Sequence, residues 1–340
     1  MRLKKLTAMI LAVAITGIFT AAPAFCEEAA EDTYLSELTG EPISAALKDQ
    51  RPVAVMVDNE SIGYPLYGMA DADIVYELIN STRNGHITRL MPLIKDWEKI
   101  TKIGNIRSVR PTNIMIAAEW DAVLCHDGGP IYCDFYFKRG YTHGNFSGGF
   151  SRVDNGKAAE FTEYCLAGDL QNKFASSGVS KTYVAHAGDE HFKFVPYGTE
   201  KDMSAAPSAE KAETVALPFE HTTSMLQYDP EKGSYDYYSY GSQQIDAESD
   251  RGMTFENVFV LKSTTTIYDE NGYMMYNIVD YDMPGYYLSN GYVQPITYTK
   301  TTEDGITHYY DAAGQELIVN TGKTYITYVP DDKWADIDIH

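Results

Sequence analysis

Positive charge is scarce in this chain: 27 Lys and Arg stand against 48 Asp and Glu in 340 residues, a net charge of -21. That balance excludes the broad basic face that nucleic acids need, so no nucleic-acid partner is expected. Any local cluster of arginines then matters, because an acidic protein that binds anions must concentrate its few cations. Cysteine is scarce too, four in all, which excludes a disulfide-dense scaffold. Cys125, Cys133 and Cys165 fall in the body of the chain, and either a Cys125–Cys133 disulfide or three reduced buried thiols fits the count. Beyond the N-terminus no apolar run approaches the roughly 20 residues of a membrane span. Motifs are missing as well. There is no G-x-S-x-G elbow, no H-E-x-x-H helix, no C-x-x-C pair and no glycine loop ending in G-K-[ST]. Cys125, His126, Asp127, Cys133 and His143 are ligating residue types without ligating spacing, so no metal or cofactor is expected.

What is present begins with MRLKKLTAMILAVAITGIFTAAPAFC, a basic start, an apolar run and small residues. Residues 1–26 read as a secretory signal peptide, ending in cleavage after Ala24, cleavage after Cys26 or a lipid-modified Cys26. An extracytoplasmic location follows, secreted or tethered to the outer face of the cytoplasmic membrane, with any membrane association through the N-terminus alone. Residues 27–48 are acidic and without apolar periodicity, and are expected to form a stalk.

Order is expected from Arg51. PVAVMVDN, ADIVYELI and HITRLMPLI have strand length, a helix is expected from Pro111, and DAVLCHDGG reads as a strand running into a glycine turn. A second helix is expected within GKAAEFTEYCLAGDLQNKF. The fold class is therefore mixed, α+β: an α/β domain over 49–197, a linker or long loop over 198–215, and a mostly antiparallel β domain over 216–334. The last part is rich in tyrosine and threonine between glycine turns. Tyr237, Tyr238 and Tyr240 lack the alternation of a core strand and are candidates for an interaction surface.

The stretch GNIRSVRPTNIM carries the sharpest chemical signal. Pro111 holds Arg110 out of helical conformation and suits a first helical turn. Two arginines at an N-terminus without a capping acceptor suit an anion, although Asp58, Glu77, Glu119 and Asp121 are nearby internal partners. His126 and Asp127, ahead of Gly128 and Gly129, close a strand where general acid–base chemistry could gather, and Glu77 is a further acid.

The ordered series RPVAVMVDN, ADIVYE, ITRLMPL, KIGNIRSVRP, AAEWDAVLCHDGG, FSR, ENVFVL, SNGYVQPITYTK and HYYDAAGQELIVNTGKTYITYVP resembles the YerB-like family of bacterial lipoproteins, over nearly the whole mature chain. The resemblance implies an envelope location, an α/β first domain and a mostly β second one. It also implies that Glu77, Arg89, Arg107, Arg110, His126 and Arg152 share a polar framework. It brings no assigned reaction. Two departures stand out: Phe25-Cys26 where the family has a lipid-attachment site, and AEFTEYC where it has a His-Asn pair.

The expected function is that of a non-enzymatic envelope protein. Its ligand site would be built from Arg89, Arg107, Arg110, Gly128, Gly129 and Arg152, facing cell-wall glycan, wall peptide or an envelope protein. The alternatives are a wall-polymer hydrolase or transferase using Glu77, His126 or Asp127, and a structural partner of a membrane complex.

Overall fold

Near-continuous apolar runs decide the architecture, because a strand that is apolar on both faces must be covered on both. The computed structural model describes residues 32–340 apart from Asn84. The expected signal peptide, residues 1–26, and residues 27–31 of the expected stalk lie outside the described residues. In the first half the strands are β1 (Val53–Val55), β2 (Val57–Asp58), β3 (Ile74–Ile79) and β4 (Thr88–Ile94), every residue of them buried. Helix α1 (Pro111–Glu119) follows, then β5 (Val123–His126), the short α2 (Tyr132–Phe137), β6 (Asn145–Ser147) and α3 (Asp169–Ser177). The second half adds β7 (Asn257–Ser263), β8 (Asp280–Ser289), β9 (Tyr292–Lys300) and β10 (Thr324–Pro330).

All ten strands enter one 12-stranded mixed sheet whose main path runs from β9 through β8, β7, β10, β3, β4, β1 and β5 to β6. The two halves of the sequence meet where β10 lies parallel to β3, with Thr324 opposite Ile74 and Thr327 opposite Glu77. A smaller sheet contains the antiparallel strands Met225–Asp229 and Ser234–Ser239.

The expected α/β character of the first half is overturned. Strands make up 38 % and helix 15 %, with only three α-helices among the described residues. The segment expected to contain a second helix carries it only at its end, as α3, after a 3-10 turn at Ala159–Phe161 and a strand at Glu163–Leu166. That strand pairs antiparallel with Lys102–Gly104 and sends Tyr164 and Cys165 into the core. Tertiary pairing outweighs the helical tendency of its Ala- and Glu-rich start.

Residues 32–48 are not a stalk. They form a hairpin, Thr33–Leu35 with Pro42–Ser44, that buries Leu38 completely. Glu37 is held there by the buried Lys95 ammonium and the Tyr183 hydroxyl, since a buried cation is tolerated only with a partner. The expected linker is packed too: Met203 and Ala212 are buried, and Glu210–Lys211 pairs with β9. All three described cysteines are free thiols in the core.

Helix α1 begins at Pro111, as the proline dictates. Arg110 stands at its N-cap in extended conformation, and all nine helical residues are buried. Asn113 Oδ1 accepts from the Arg110 N–H at 3.1 Å, doing from the third helical position what the arginine cannot do from the cap.

Beside the β3–β10 junction lies Glu77, fully buried and facing no cation within salt-bridge distance among the described residues. Its Oε1 accepts from Asn59 Nδ2 (2.9 Å), Thr88 Oγ1 (2.7 Å) and Ser224 Oγ (2.7 Å), and its Oε2 from Tyr237 (2.9 Å) and Tyr325 (2.6 Å) hydroxyls. Tyr237 is thus a core residue, not an interaction surface. Tyr238 and Tyr240 are half-buried, and Tyr240 donates to the Asn59 carbonyl at 2.8 Å.

Replacing Glu77 by Ala strands these five donors, and urea unfolding should show a loss of at least about 3 kcal/mol. Burial pushes the Glu77 carboxyl above its ordinary value, with the hydrogen bonds opposing. The folded chain therefore keeps a proton that the unfolded chain has lost, so this group costs stability as the pH rises from the ordinary carboxylate value toward the raised one. Glu77→Gln removes that dependence. The stability of the variant relative to the parent should be higher at about pH 8 than at about pH 4, and a difference that does not change with pH sinks the assignment.

Candidate functional site

Strand β4 alternates faces, so Thr88 turns toward Glu77 and Arg89 turns to the other side of the sheet. There it meets the chain leading into α1. Arg89, Arg107 and Arg110 line one open cleft of about 550 Å³, together with Asn80, Ser81, Arg83, Ser108 and Glu60. The opposite wall is Glu270, Asn271 and Tyr273, the turn between the strands Thr265–Ile267 and Met274–Tyr276. That turn is fastened to the first half: Ser81 Oγ donates to the Asn271 carbonyl at 2.8 Å, and Arg83 Nε donates to the Glu270 carbonyl at 2.8 Å.

The three central arginines differ in how they are neutralised. Arg107 Nε lies 3.4 Å from the buried Asp58 carboxylate, and its head also reaches Glu160 at 3.2 Å and Glu60 at 3.9 Å. Neither Arg89 nor Arg110 has a carboxylate within 4 Å among the described residues. Each is only 6 % exposed. Arg89 Nη1 donates to the Ser108 carbonyl, and its buried Nε has no acceptor. Arg110 donates from Nε to Asn80 O (3.3 Å) and from Nη1 to Val109 O (2.8 Å), and its guanidinium stacks 4.1 Å from the centre of the Tyr273 ring. Burial first, and then the neighbouring Arg110, push Arg89 down to about 9; burial pushes Arg110 down to about 10. A second orphan polar atom, Asn80 Oδ1, sits in the same wall.

The other expected site residues are elsewhere. Arg152 is half exposed and binds Glu163 (2.8 Å) and Asp127 (3.5 Å) on a surface outside the cleft. The Gly128 carbonyl accepts from Val109 N–H at 3.1 Å, a side chain at Gly129 would meet Val109, and neither glycine lines the cleft. His126 is buried, stacked on Phe137, with Nδ1 2.8 Å from the Gly128 carbonyl and Nε2 3.1 Å from Asn145 Oδ1, so both ring nitrogens are engaged. Burial pushes its pKa down. Glu77 is sealed in the core. None of Glu77, His126 and Asp127 lines the cleft.

Sequence reasoning missed Glu60, Arg83 and Tyr273. Only the fold brings them to the arginines, although the turn signal DENG did mark the segment that carries Tyr273. Burial, then Asp58, push the Glu60 carboxyl above its ordinary value. A larger cavity of about 600 Å³ lies between the N-terminal hairpin and residues 183–196, walled by Tyr34, Tyr183, Phe192 and Phe194, but Glu37 within it is already held by Lys95.

Comparison with known proteins gives a consistent result. Residues 38–180 match the profile described as Protein of unknown function (DUF3048) N-terminal domain, and residues 215–326 match the corresponding C-terminal domain. A Bacillus subtilis (strain 168) protein named "Putative lipoprotein YerB" is 24 % identical over 318 residues, covering 88 % of this chain and 87 % of its own. The crystal structure of the YerB protein from Bacillus subtilis superposes with a TM-score of 0.75 at 20 % identity, over 90 % of this chain and 99 % of the other. It is a likeness of fold.

The two kinds of arginine should respond differently to removal. Arg107→Met leaves Asp58 buried and unpaired and should cost on the order of 3 kcal/mol in urea unfolding. Arg89→Met removes an uncompensated buried charge and should leave stability unchanged or raise it by up to about 2 kcal/mol. The reverse order would make Arg89 a structural ion-pair member and empty the cleft of its meaning.

Proposed function

This chain belongs to the DUF3048 family, and from that premise we propose that it works outside the cytoplasm as a binding protein whose Arg89–Arg110 cleft takes an anionic ligand of the cell envelope. The single observation that carries the reading is the pair of buried guanidinium groups without a carboxylate partner, opening on a cleft of ligand size. A folded protein seldom buries charge unpaired, and an external anion supplies the missing partner. The N-terminus of α1 adds its positive end at the same place. Envelope location is supported by the signal-peptide pattern of residues 1–26 and by the lipoprotein name of the Bacillus subtilis relative. Cell-wall glycan, wall peptide carboxylates and an envelope protein are the candidate ligands.

A second reading, turnover of that ligand, has one observation behind it: Glu60, a carboxyl with raised pKa, lines the cleft with the arginines. It would supply the acid or base that Glu77, His126 and Asp127 are not placed to give.

Calorimetric titration of the mature protein with wall fragments and simple anions tests the binding reading. The parent should bind, binding should weaken as salt rises, and an Arg89→Ala, Arg110→Ala double variant with an intact thermal transition should lose it. Equal binding by the variant, or none by the parent, overturns the reading and moves the search to protein partners.

A further inference from the structure

Resting on that reading, we propose that the group held in the cleft is a doubly charged phosphoryl group, a phosphate monoester or pyrophosphate, and not a carboxylate. The charge count comes first. Arg107 is neutralised internally by Asp58 and Glu160, whereas Arg89 and Arg110 leave two buried positive charges open to the same space. Asp58 and Glu60 act on Arg89 only at longer range. A single carboxylate would balance one of the two.

The donor count agrees. Of the five N–H groups of each guanidinium, Arg89 commits only Nη1 to protein, and Arg110 commits Nε and Nη1. Nε and Nη2 of Arg89 and Nη2 of Arg110 have no protein acceptor among the described residues. A carboxylate has two oxygens in one plane and matches one guanidinium edge. A phosphoryl group offers three oxygens around a tetrahedral centre and can meet two differently oriented arginines at once.

The two guanidinium groups are also held in place before any ligand arrives. The carbonyls of Ser108, Val109 and Asn80 fix them, and Tyr273 supports the Arg110 plane. Ordering these long side chains on binding therefore costs little. Asn80, whose buried Oδ1 has no partner among the described residues, also lines the cleft and is a polar group of the kind that recognises what the phosphoryl group is attached to.

The test compares methyl phosphate, dimethyl phosphate, sulfate and acetate as ligands of the parent protein, by calorimetry at about pH 8 and about pH 5. Methyl phosphate and sulfate should bind at least about tenfold more tightly than acetate and dimethyl phosphate at the higher pH, because only they carry two charges. At the lower pH methyl phosphate should weaken by about tenfold, since its second proton returns near pH 6, while sulfate stays unchanged. Capture of the protein on vesicles containing phosphatidic acid, and not on phosphatidylglycerol vesicles, assigns the group to a lipid headgroup. Binding of methyl phosphate without vesicle capture assigns it to a soluble or polymer-borne ester, and both results uphold the phosphoryl assignment. Acetate or wall peptide binding as tightly as methyl phosphate overturns the phosphoryl assignment and leaves the anion cleft standing. Binding of no anion overturns both.

Discussion

The carboxylate of Glu77 is the point on which the two halves of this chain agree. It lies on β3, beside the parallel strand β10 that comes more than two hundred residues later, and both of its oxygens are filled from distant segments. Asn59 and Thr88 reach it from the first half, and Ser224, Tyr237 and Tyr325 from the second. A buried acid with five donors is favourable only when all of them arrive, so it penalises any docking of the halves that leaves one out. Hydrophobic burial along β3, β4 and β10 supplies the bulk of the attraction, and the polar cluster fixes the alignment.

The same alignment builds the cleft. Tyr273 and the turn around it belong to the second half, and they close a wall over arginines that belong to the first. The site thus depends on the sheet junction without containing it. Arg107 illustrates the other half of the logic: placed three residues before the extended N-cap, it turns to Asp58 and becomes structure, while Arg110, at the cap itself, faces the Tyr273 ring and stays uncompensated. Three residues of spacing separate a neutralised arginine from an uncompensated one.

Much of this was legible in the sequence. Pro111 gave away the start of α1, because a proline ring fixes its own φ and restricts the residue before it. The apolar runs gave the strands from Val53 to Ile94, and Arg107 and Arg110 marked the place of the cleft. The shared sheet was not legible, since parallel pairing of β10 with β3 is a contact of long sequence separation with no local turn to announce it. Nor was the role of Tyr237: its stretch, YDYYSYG, looked like surface because its polar partner Glu77 is remote in sequence. The acidic stretch before Arg51 misled for a related reason. Its composition is that of a solvated tail, but Glu37 has a buried lysine to neutralise, and a single such contact is invisible to composition.

The period of two in β4 joins these strands of argument. Thr88 and Arg89 are consecutive, and a pleated strand must send them to opposite faces. One face then carries an acid without a cation among the described residues, satisfied by hydroxyls and an amide; the other carries Arg89, held by the Ser108 carbonyl and with no carboxylate within 4 Å among the described residues. Had Glu77 and Arg89 shared a face, they would have neutralised each other and neither feature would exist. A shift of one residue in the β3–β4 register would exchange the faces, turning Thr88 away from Glu77 and Arg89 out of the cleft. The 2.7 Å hydrogen bond from Thr88 to Glu77 is made only in the observed register. The buried acid therefore guards the register, and by guarding it holds Arg89 uncompensated at the cleft, where an external anion can reach it.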